Sequence, residues 1–199
     1  MRFIFALLAM AAFAVSPAMA ADDGGFYVGA GFGGFEVDID DFEEGADFKG
    51  DDTAFKLFGG WKFNKYIGGE LEYIDGGTVE EKYSDGVDTL KVGIDVSGFN
   101  VSLLGAFPIG DQFDVFAKLG MFMWDGDFQA KISGPLCDEL QEFGESCTER
   151  ATDDGSDFSW GVGANWYFME NFGARLEYQI FEIEDADADS WSLSVLWMF

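Results

Sequence analysis

The chain has 199 residues, with 38 Asp and Glu against 11 Lys and Arg for a formal net charge of −27, and it contains no histidine. That balance excludes nucleic acid as a partner, because phosphate neutralisation needs clustered Lys and Arg, and it removes the side chain that titrates near neutrality in much acid–base and metal chemistry. Disorder is excluded as well, since 48% hydrophobic and 18% aromatic residues are too many for a chain that stays solvated; the acidic and apolar residues must be segregated in space.

Residues 1–20, MRFIFALLAMAAFAVSPAMA, carry one positive charge at Arg2, an apolar run through Val15 and a small-x-small site at Ala18-Met19-Ala20. This is the layout of a secretory signal peptide cleaved after Ala20. The run breaks at Ser16 and Pro17, short of the ~20 residues of a spanning helix. No later segment reads as such a helix; FNVSLLGAFPIG, for example, is interrupted by Gly, Pro and polar residues. Residues 21–199 are therefore expected to form one domain.

From there the chain alternates with a period of two, the signature of strands. Phe26, Val28, Ala30 and Phe32 share one face of a first strand, with Gly29, Gly31 and Gly33 on the other. A second strand sets Phe55, Leu57, Gly59, Trp61 and Phe63 against Lys56, Phe58, Gly60 and Lys62; a third sets Ile67, Gly69, Leu71 and Tyr73 against Gly68, Glu70 and Glu72. The fourth, beginning near Leu90, sets Phe99, Val101, Leu103 and Gly105 against Asn100, Ser102, Leu104 and Ala106. In the fifth, Phe113, Val115, Ala117, Leu119 and Met121 oppose Asp114, Phe116, Lys118 and Gly120. The sixth runs from Phe158 to Phe168 with Ser159, Gly161, Gly163, Asn165 and Tyr167 between its large apolar residues, and the seventh opposes Phe172, Ala174, Leu176, Tyr178 and Ile180 to Gly173, Arg175, Glu177 and Gln179. The last opposes Trp191, Leu193, Val195, Trp197 and Phe199 to Ser190, Ser192, Ser194, Leu196 and Met198.

These are eight strands, each about the ~10 residues of a tilted membrane strand. Short links at Asn64-Lys65, Pro108 to Gln112 and Met169 to Asn171 alternate with acidic links at Asp38 to Asp52, Asp75 to Thr89, Asp125 to Asp157 and Glu182 to Asp189. In a soluble sandwich the apolar faces would meet in a core. Here one face of nearly every strand is Phe, Leu, Val and Trp, and the other mixes glycine, serine and single charges, which fits a barrel in lipid with its apolar side outward. The fold class expected is all-β, an eight-stranded antiparallel up-and-down transmembrane β-barrel, with Trp61, Phe63, Tyr66, Trp166, Phe168, Phe172, Trp191 and Trp197 in its interfacial girdles. The termini would face the periplasm and four acidic loops the exterior. At this strand number side chains fill the lumen, so a wide channel is not expected.

Two local patterns invite other chemistry. In GFYVGAGFGGFEV, Gly29, Gly31 and Gly34 have the G-x-G-x-x-G spacing, but the following FEVDIDDFEEGADFKGDD has no helical period and would repel pyrophosphate; the nucleotide-binding context is missing. The glycines instead leave room inside a narrow barrel for side chains from the far wall. Asp185-Ala186-Asp187-Ala188-Asp189 begins like a calcium loop, yet its sixth position is Ser190 and its twelfth Leu196 where Gly and Glu are required. Neither a metal nor a cofactor is expected. Export places Cys137 and Cys147 in an oxidising compartment, and a disulfide across DELQEFGES is expected, two thiols without histidine being an incomplete zinc shell.

The stretches FYVGAGFG, LFGGWKFNKYIGGELEYIDGG, SLLGAFPIGDQFDVFAKLGMFMW, WGVGANWYFMENFGARLEYQ and the terminal SLSVLWMF, taken in this order, resemble the OmpA-like transmembrane domain of Gram-negative outer membranes. The resemblance implies an outer-membrane location, lipid and lipopolysaccharide as surroundings, and the barrel assembly machinery and periplasmic chaperones as partners in biogenesis. It makes Phe199, with Trp197 and Val195, the C-terminal assembly signal. In that family a glutamate of the third strand pairs with an arginine of the seventh, matched here by Glu70 and Arg175, while a lysine and a glutamate on neighbouring strands compete for the pair. Those competitor positions are Leu104 and Asn165, so the resemblance implies a fixed pair rather than a gate. Full-length members carry a peptidoglycan-binding domain after the barrel; the end at Phe199 leads us to expect the barrel alone, as a monomer.

Enzymes built on barrels of similar size, the lipid A deacylases, the palmitoyltransferases and the omptins, rely on histidine, and this chain has none. Glu70 with Glu72 or Glu177 could be imagined as an acid–base pair, but Lys56, Lys62, Lys118 and Arg175 share their face, and an interior ion network is the better account. The expected role is non-enzymatic, in envelope structure and surface properties. The alternatives are a narrow pore for ions or small solutes, and adhesion through the acidic loops.

Overall fold

A computed structural model describes residues 24–39, 48–84, 89–135, 137, 146–183 and 186–199. Residues 1–20, expected to be a signal peptide, most of the first long link and Asp185 lie outside the described residues. The described chain is eight strands: β1 (Gly25–Ile39), β2 (Phe48–Lys62), β3 (Ile67–Ser84), β4 (Thr89–Ile109), β5 (Phe113–Ser133), β6 (Thr148–Tyr167), β7 (Phe172–Ile183) and β8 (Ala186–Met198). Each pairs antiparallel with its neighbours in sequence, and β1 also pairs with β8, from Tyr27 opposite Met198 to Asp38 opposite Asp187, which closes the barrel. Closure leaves no sheet edge unpaired in lipid.

The pleat places side chains as the alternation requires. Phe32, Trp61, Leu71, Leu103, Leu119, Val162, Leu176, Leu193 and Val195 are exposed, while Glu70, Glu72, Lys118, Arg175 and Glu177 on the opposite faces are almost fully buried. A water-soluble protein would show the reverse. Aromatic side chains cluster where both termini and the short turns lie: Phe113 stacks on Trp166, Phe172 on Trp197 and Trp197 on Phe199, and Trp61, Phe63 and Tyr66 are exposed at the β2–β3 turn.

The strands are longer than the sequence indicates. β4 and β5 run for 21 residues each, roughly 70 Å at ~3.4 Å per residue, about twice the ~10 residues of a tilted crossing. Most of what reads as acidic link is paired strand: Thr78–Ser84 pairs with Thr89–Asp95, and Asp125–Lys131 pairs both with Lys91–Ser97 and with Thr148–Asp154. Ala186–Asp189, the remainder of the calcium-like stretch, opens β8. Pro108 and Ile109 likewise belong to β4 and not to the turn.

The reason lies in a reversal of polarity without a change of pleat. Outward positions of β5 pass from Leu119, Met121 and Met123 to Asp125 and Asp127, while inward positions pass from Asp114 and Lys118 to Phe122, Trp124 and Phe128. β4 does the same, from Phe99 to Asp95 on one side and from Asn100 to Val96 and Ile94 on the other. Strands β3 to β6 thus continue as paired strands beyond the apolar band; in β4 and β5 the continuation is amphipathic, of the ordinary water-facing kind, while β6 is exposed on both faces from Glu149 to Asp154. On β3 the transition coincides with a bulge between Asp75 and Thr78. Gly77 takes φ 72° there, a left-handed conformation open to glycine at little cost, and Thr78 N donates to Asp52 Oδ2 at 2.9 Å.

Candidate functional site: a layered lumen

Among the described residues the interior is where polar side chains are sheltered, and it is built in three layers. At mid-height β3 contributes Glu70 and Glu72, β7 contributes Arg175, Glu177 and Gln179, β2 contributes Lys56 and β5 contributes Lys118. Arg175 Nη1 donates to Glu70 Oε2 at 2.6 Å and lies 3.6 Å from Glu177 Oε2. Lys118 Nζ lies 2.7 Å from Glu72 Oε2 and 3.4 Å from Glu70 Oε1, and also contacts Glu177 Oε1. Lys56 Nζ lies 2.7 Å from Glu72 Oε1 and 3.1 Å from Glu177 Oε1, and donates to Gln179 Oε1 at 2.9 Å. Asn100 Nδ2 and Gln179 Nε2 complete the donors to Glu72.

Three carboxylates and three cations share this layer, so its formal charge is −3 + 3 = 0. Oxygens of Glu70, Glu72 and Glu177 come within 4.8 Å of one another, close enough to hold a metal ion, but the two ammonium groups and the guanidinium already provide the counter-charge. Removing six charges from water costs several kcal/mol per ion, recovered only by geometry as close as this.

Aromatic rings hold the arginine. The guanidinium carbon of Arg175 is 4.5 Å from the Phe58 ring centroid, 4.7 Å from Phe116 and 5.5 Å from Tyr27, and Tyr27 OH donates to Glu70 Oε2 at 2.7 Å. The rings fit because their cross-strand neighbours are glycine: Gly29 lies opposite Phe58 and Gly60 opposite Tyr27 in the β1–β2 ladder, and a Cβ at either would meet the ring, so the room these glycines leave is filled from the adjacent strand and not, as expected, from the far wall. Gly29 and Gly31 line the lumen while Gly34 sits on the outward parity of β1, so the G-x-G-x-x-G spacing is split across two faces of one strand and forms no phosphate loop.

Toward the end carrying the termini, Lys62 stands apart from the other six charged residues named from the sequence. It lies 3.2 Å from Asp114 Oδ2 and donates to Tyr167 OH at 2.6 Å, and the tyrosine donates to Asp114 Oδ2 at 2.6 Å. Asn165 joins this group to the mid layer: its Nδ2 donates to Asp114 Oδ1 at 2.6 Å and its Oδ1 accepts from Arg175 Nε at 2.9 Å. Lys62, Asp114 and Tyr167 line a cavity of about 570 Å³ at this mouth. Sequence reasoning did not single out Tyr27, Phe58, Phe116, Asp114 or Tyr167 for this site, although each shares parity with the charges. Leu104 is buried opposite Lys118 in the β4–β5 ladder, so a lysine reaches Glu70 from β5 although position 104 is leucine.

At the hairpin end the lumen turns apolar. Phe35, Val37, Ala54, Ile74, Ile94, Val96, Phe122, Phe181 and Ala188 form one buried cluster. Phe122 and Phe181 are fully buried, with ring centroids 4.5 Å apart, and Phe35 is 5.9 Å from Phe181. This layer was not anticipated: the inward face was expected to be glycine, serine and charge throughout. Further out, a disulfide joins Cys137 to Cys147 across the tip of the β5–β6 hairpin, and Ile132 N donates to the Cys147 carbonyl at 2.9 Å. At the opposite end Phe199 N donates to the Phe26 carbonyl at 3.0 Å, and Val195 and Trp197 face outward.

Comparison with known proteins fits this architecture. Outer membrane protein A of Shigella dysenteriae is 27% identical over 173 residues, covering 86% of this chain and 45% of that protein, and that of Klebsiella pneumoniae is 27% identical over 131 residues, covering 66% and 34%. The chain thus spans about half the length, or less, of these curated relatives. Among solved structures, Ail, the attachment invasion locus protein of Yersinia pestis, superposes with a TM-score of 0.58 at 16% identity, covering 89% of this chain and 99% of that one. OprG of Pseudomonas aeruginosa gives 0.56 at 12% identity, covering 89% and 96%; at such identities the likeness concerns the fold. The model of the outer membrane protein beta-barrel domain matches residues 5–199. The chain belongs to that family and is an outer-membrane barrel.

Proposed function

We propose that the protein is a non-enzymatic, non-conducting barrel that contributes to envelope structure and to the charge of the cell surface, with its termini and short turns in the periplasm and its long hairpins outside. The observation that carries this reading is the filled lumen, a neutral ion-pair layer under a buried apolar layer among the described residues, which supports a barrel without a continuous hydrated path. Catalysis finds no support: the chain has no histidine, and each interior glutamate is bound to cations and not poised for proton transfer.

The projecting sheet bears on surface role. Ail has been crystallised with the heparin analogue sucrose octasulfate; here the outward face of β3 to β6 presents Asp75, Asp95, Asp125, Asp127 and Asp154 with Lys91, Lys131 and Arg150 nearer the tips, and with a chain net charge of −27 the field disfavours polyanions. A contribution to surface charge fits this face better than capture of a sulfated glycan. Recording from purified protein in planar bilayers tests the reading. Electrical silence is the expected result, and reproducible discrete conductance steps would favour the pore instead.

A further inference from the structure

We propose that the ion seal of this barrel is the apolar layer at its outer end, centred on Phe35, Phe122 and Phe181, and that the charged layer beneath is not what holds ions back. The inference deepens the non-conducting reading and rests on it. Every strand except β6 contributes to the apolar layer: Phe35 from β1, Ala54 from β2, Ile74 from β3, Val96 from β4, Phe122 from β5, Phe181 from β7 and Ala188 from β8. β6 completes the ring with Asp157, which lies opposite Phe122 in the ladder and whose Oδ2 accepts from Trp124 Nε1 at 2.6 Å. Between the phenylalanines an ion would meet rings and methyl groups, the Asp157 carboxylate at the edge of the ring being engaged by the Trp124 indole, and a constriction lined mainly by apolar groups stays dry and blocks ions.

The layers below are of a different kind. A polar chain runs inward from the mouth at Lys62 through Tyr167, Asp114, Asn165 and Arg175 to Glu70, Lys118 and Glu72. Beside it the hydroxyls of Ser102, Ser192 and Ser194 are buried without a hydrogen-bond partner, so the surface around the ion pairs retains capacity for water. This polar interior is a blind well, and its outer end stops at Phe122 and Phe181. Loosening an ion pair hydrates the well without opening it; removing the rings opens it.

The test compares folded proteins in planar bilayers, folding being checked by mobility on cold SDS gels. Wild type, E70Q/R175M and F122L/F181L are expected to be silent, whereas F122A/F181A is expected to show discrete steps at least about tenfold above the wild-type leak. Silence of folded F122A/F181A, or steps in E70Q/R175M, would overturn the assignment. If the double alanine variant does not fold, Phe181→Ala alone decides in the same way, conduction supporting the seal and silence overturning it. Steps in the wild type would instead defeat the non-conducting reading; the seal is then supported if F122A/F181A raises the conductance and overturned if it does not.

Discussion

The sharpest stability test is Arg175→Met, which keeps apolar contact with Phe58 and Phe116 while deleting the guanidinium. The mid layer then holds Glu70, Glu72 and Glu177 against Lys56 and Lys118, so its formal charge falls from zero to −3 + 2 = −1. Glu70 loses its 2.6 Å donor, while Tyr27 OH at 2.7 Å and Lys118 at 3.4 Å remain beside it. Breaking one side of a buried pair costs about 3–5 kcal/mol, and retention of the tyrosine donor places this case at about 4 kcal/mol. At ~1.4 kcal/mol per decade that is roughly a thousandfold in the folding equilibrium. Urea unfolding in lipid vesicles, followed by tryptophan fluorescence, measures it. The double variant E70Q/R175M restores neutrality and should recover more than half of the loss. A single variant within about 0.5 kcal/mol of wild type, the scatter of innocuous surface changes, would refute the argument, as would a double variant less stable than the single one.

Arg175→Ala leaves a ring-lined hole shaped for a planar cation, so millimolar guanidinium should raise its melting temperature while leaving wild type unchanged; equal responses of the two proteins would count against the aromatic cage. Leu103 faces outward at the middle of the apolar band, and Leu103→Arg should cost about 2–4 kcal/mol, against about 0–1 for Ile109→Arg at the rim; equal costs in vesicle unfolding would place the membrane elsewhere. Reduction of the Cys137–Cys147 disulfide should leave the cold-gel mobility of the barrel intact and remove exchange protection from the Ile132 amide, which bonds to Cys147. Loss of the folded band on reduction would show the bridge to be structural for the whole barrel.

The membrane-embedded part was legible because lipid enforces a strict rule. Every residue from Phe99 to Gly105 or from Phe172 to Ile180 must choose the greasy or the sheltered side, and the choice shows as simple alternation. The same parity put Glu70, Glu72, Glu177, Lys56, Lys118 and Arg175 on one face, and the chain places them in one layer. What parity does not carry is height and azimuth. Whether Lys62 meets Glu70 or Asp114 depends on the stagger of β2 against β5 across the lumen, a non-local quantity. The aromatic cage was hidden for a related reason: Phe58 and Phe116 look like stray bulk on a polar face until both are seen beside one guanidinium.

The outer extension was misjudged because its polarity is inverted. In lipid the outward face is apolar; in water it must be polar, and a strand that crosses the boundary keeps its pleat but exchanges the chemistry of its faces. On β5 the exchange falls between Met123 and Asp125 outside and between Gly120 and Phe122 inside; on β4 it falls between Phe99 and Ser97 outside and between Gly98 and Val96 inside. Asp125 pairs with Ser97 and Met123 with Phe99, so on the outer face the two strands switch at the same height. That coincidence marks where acyl chains give way to headgroups and water, and it explains why the apolar layer sits where it does. The inward apolar side chains are the core of the projecting sheet, drawn down into the barrel mouth, and a single cluster of phenylalanines serves as the foundation of the hairpins and as the lid of the polar well.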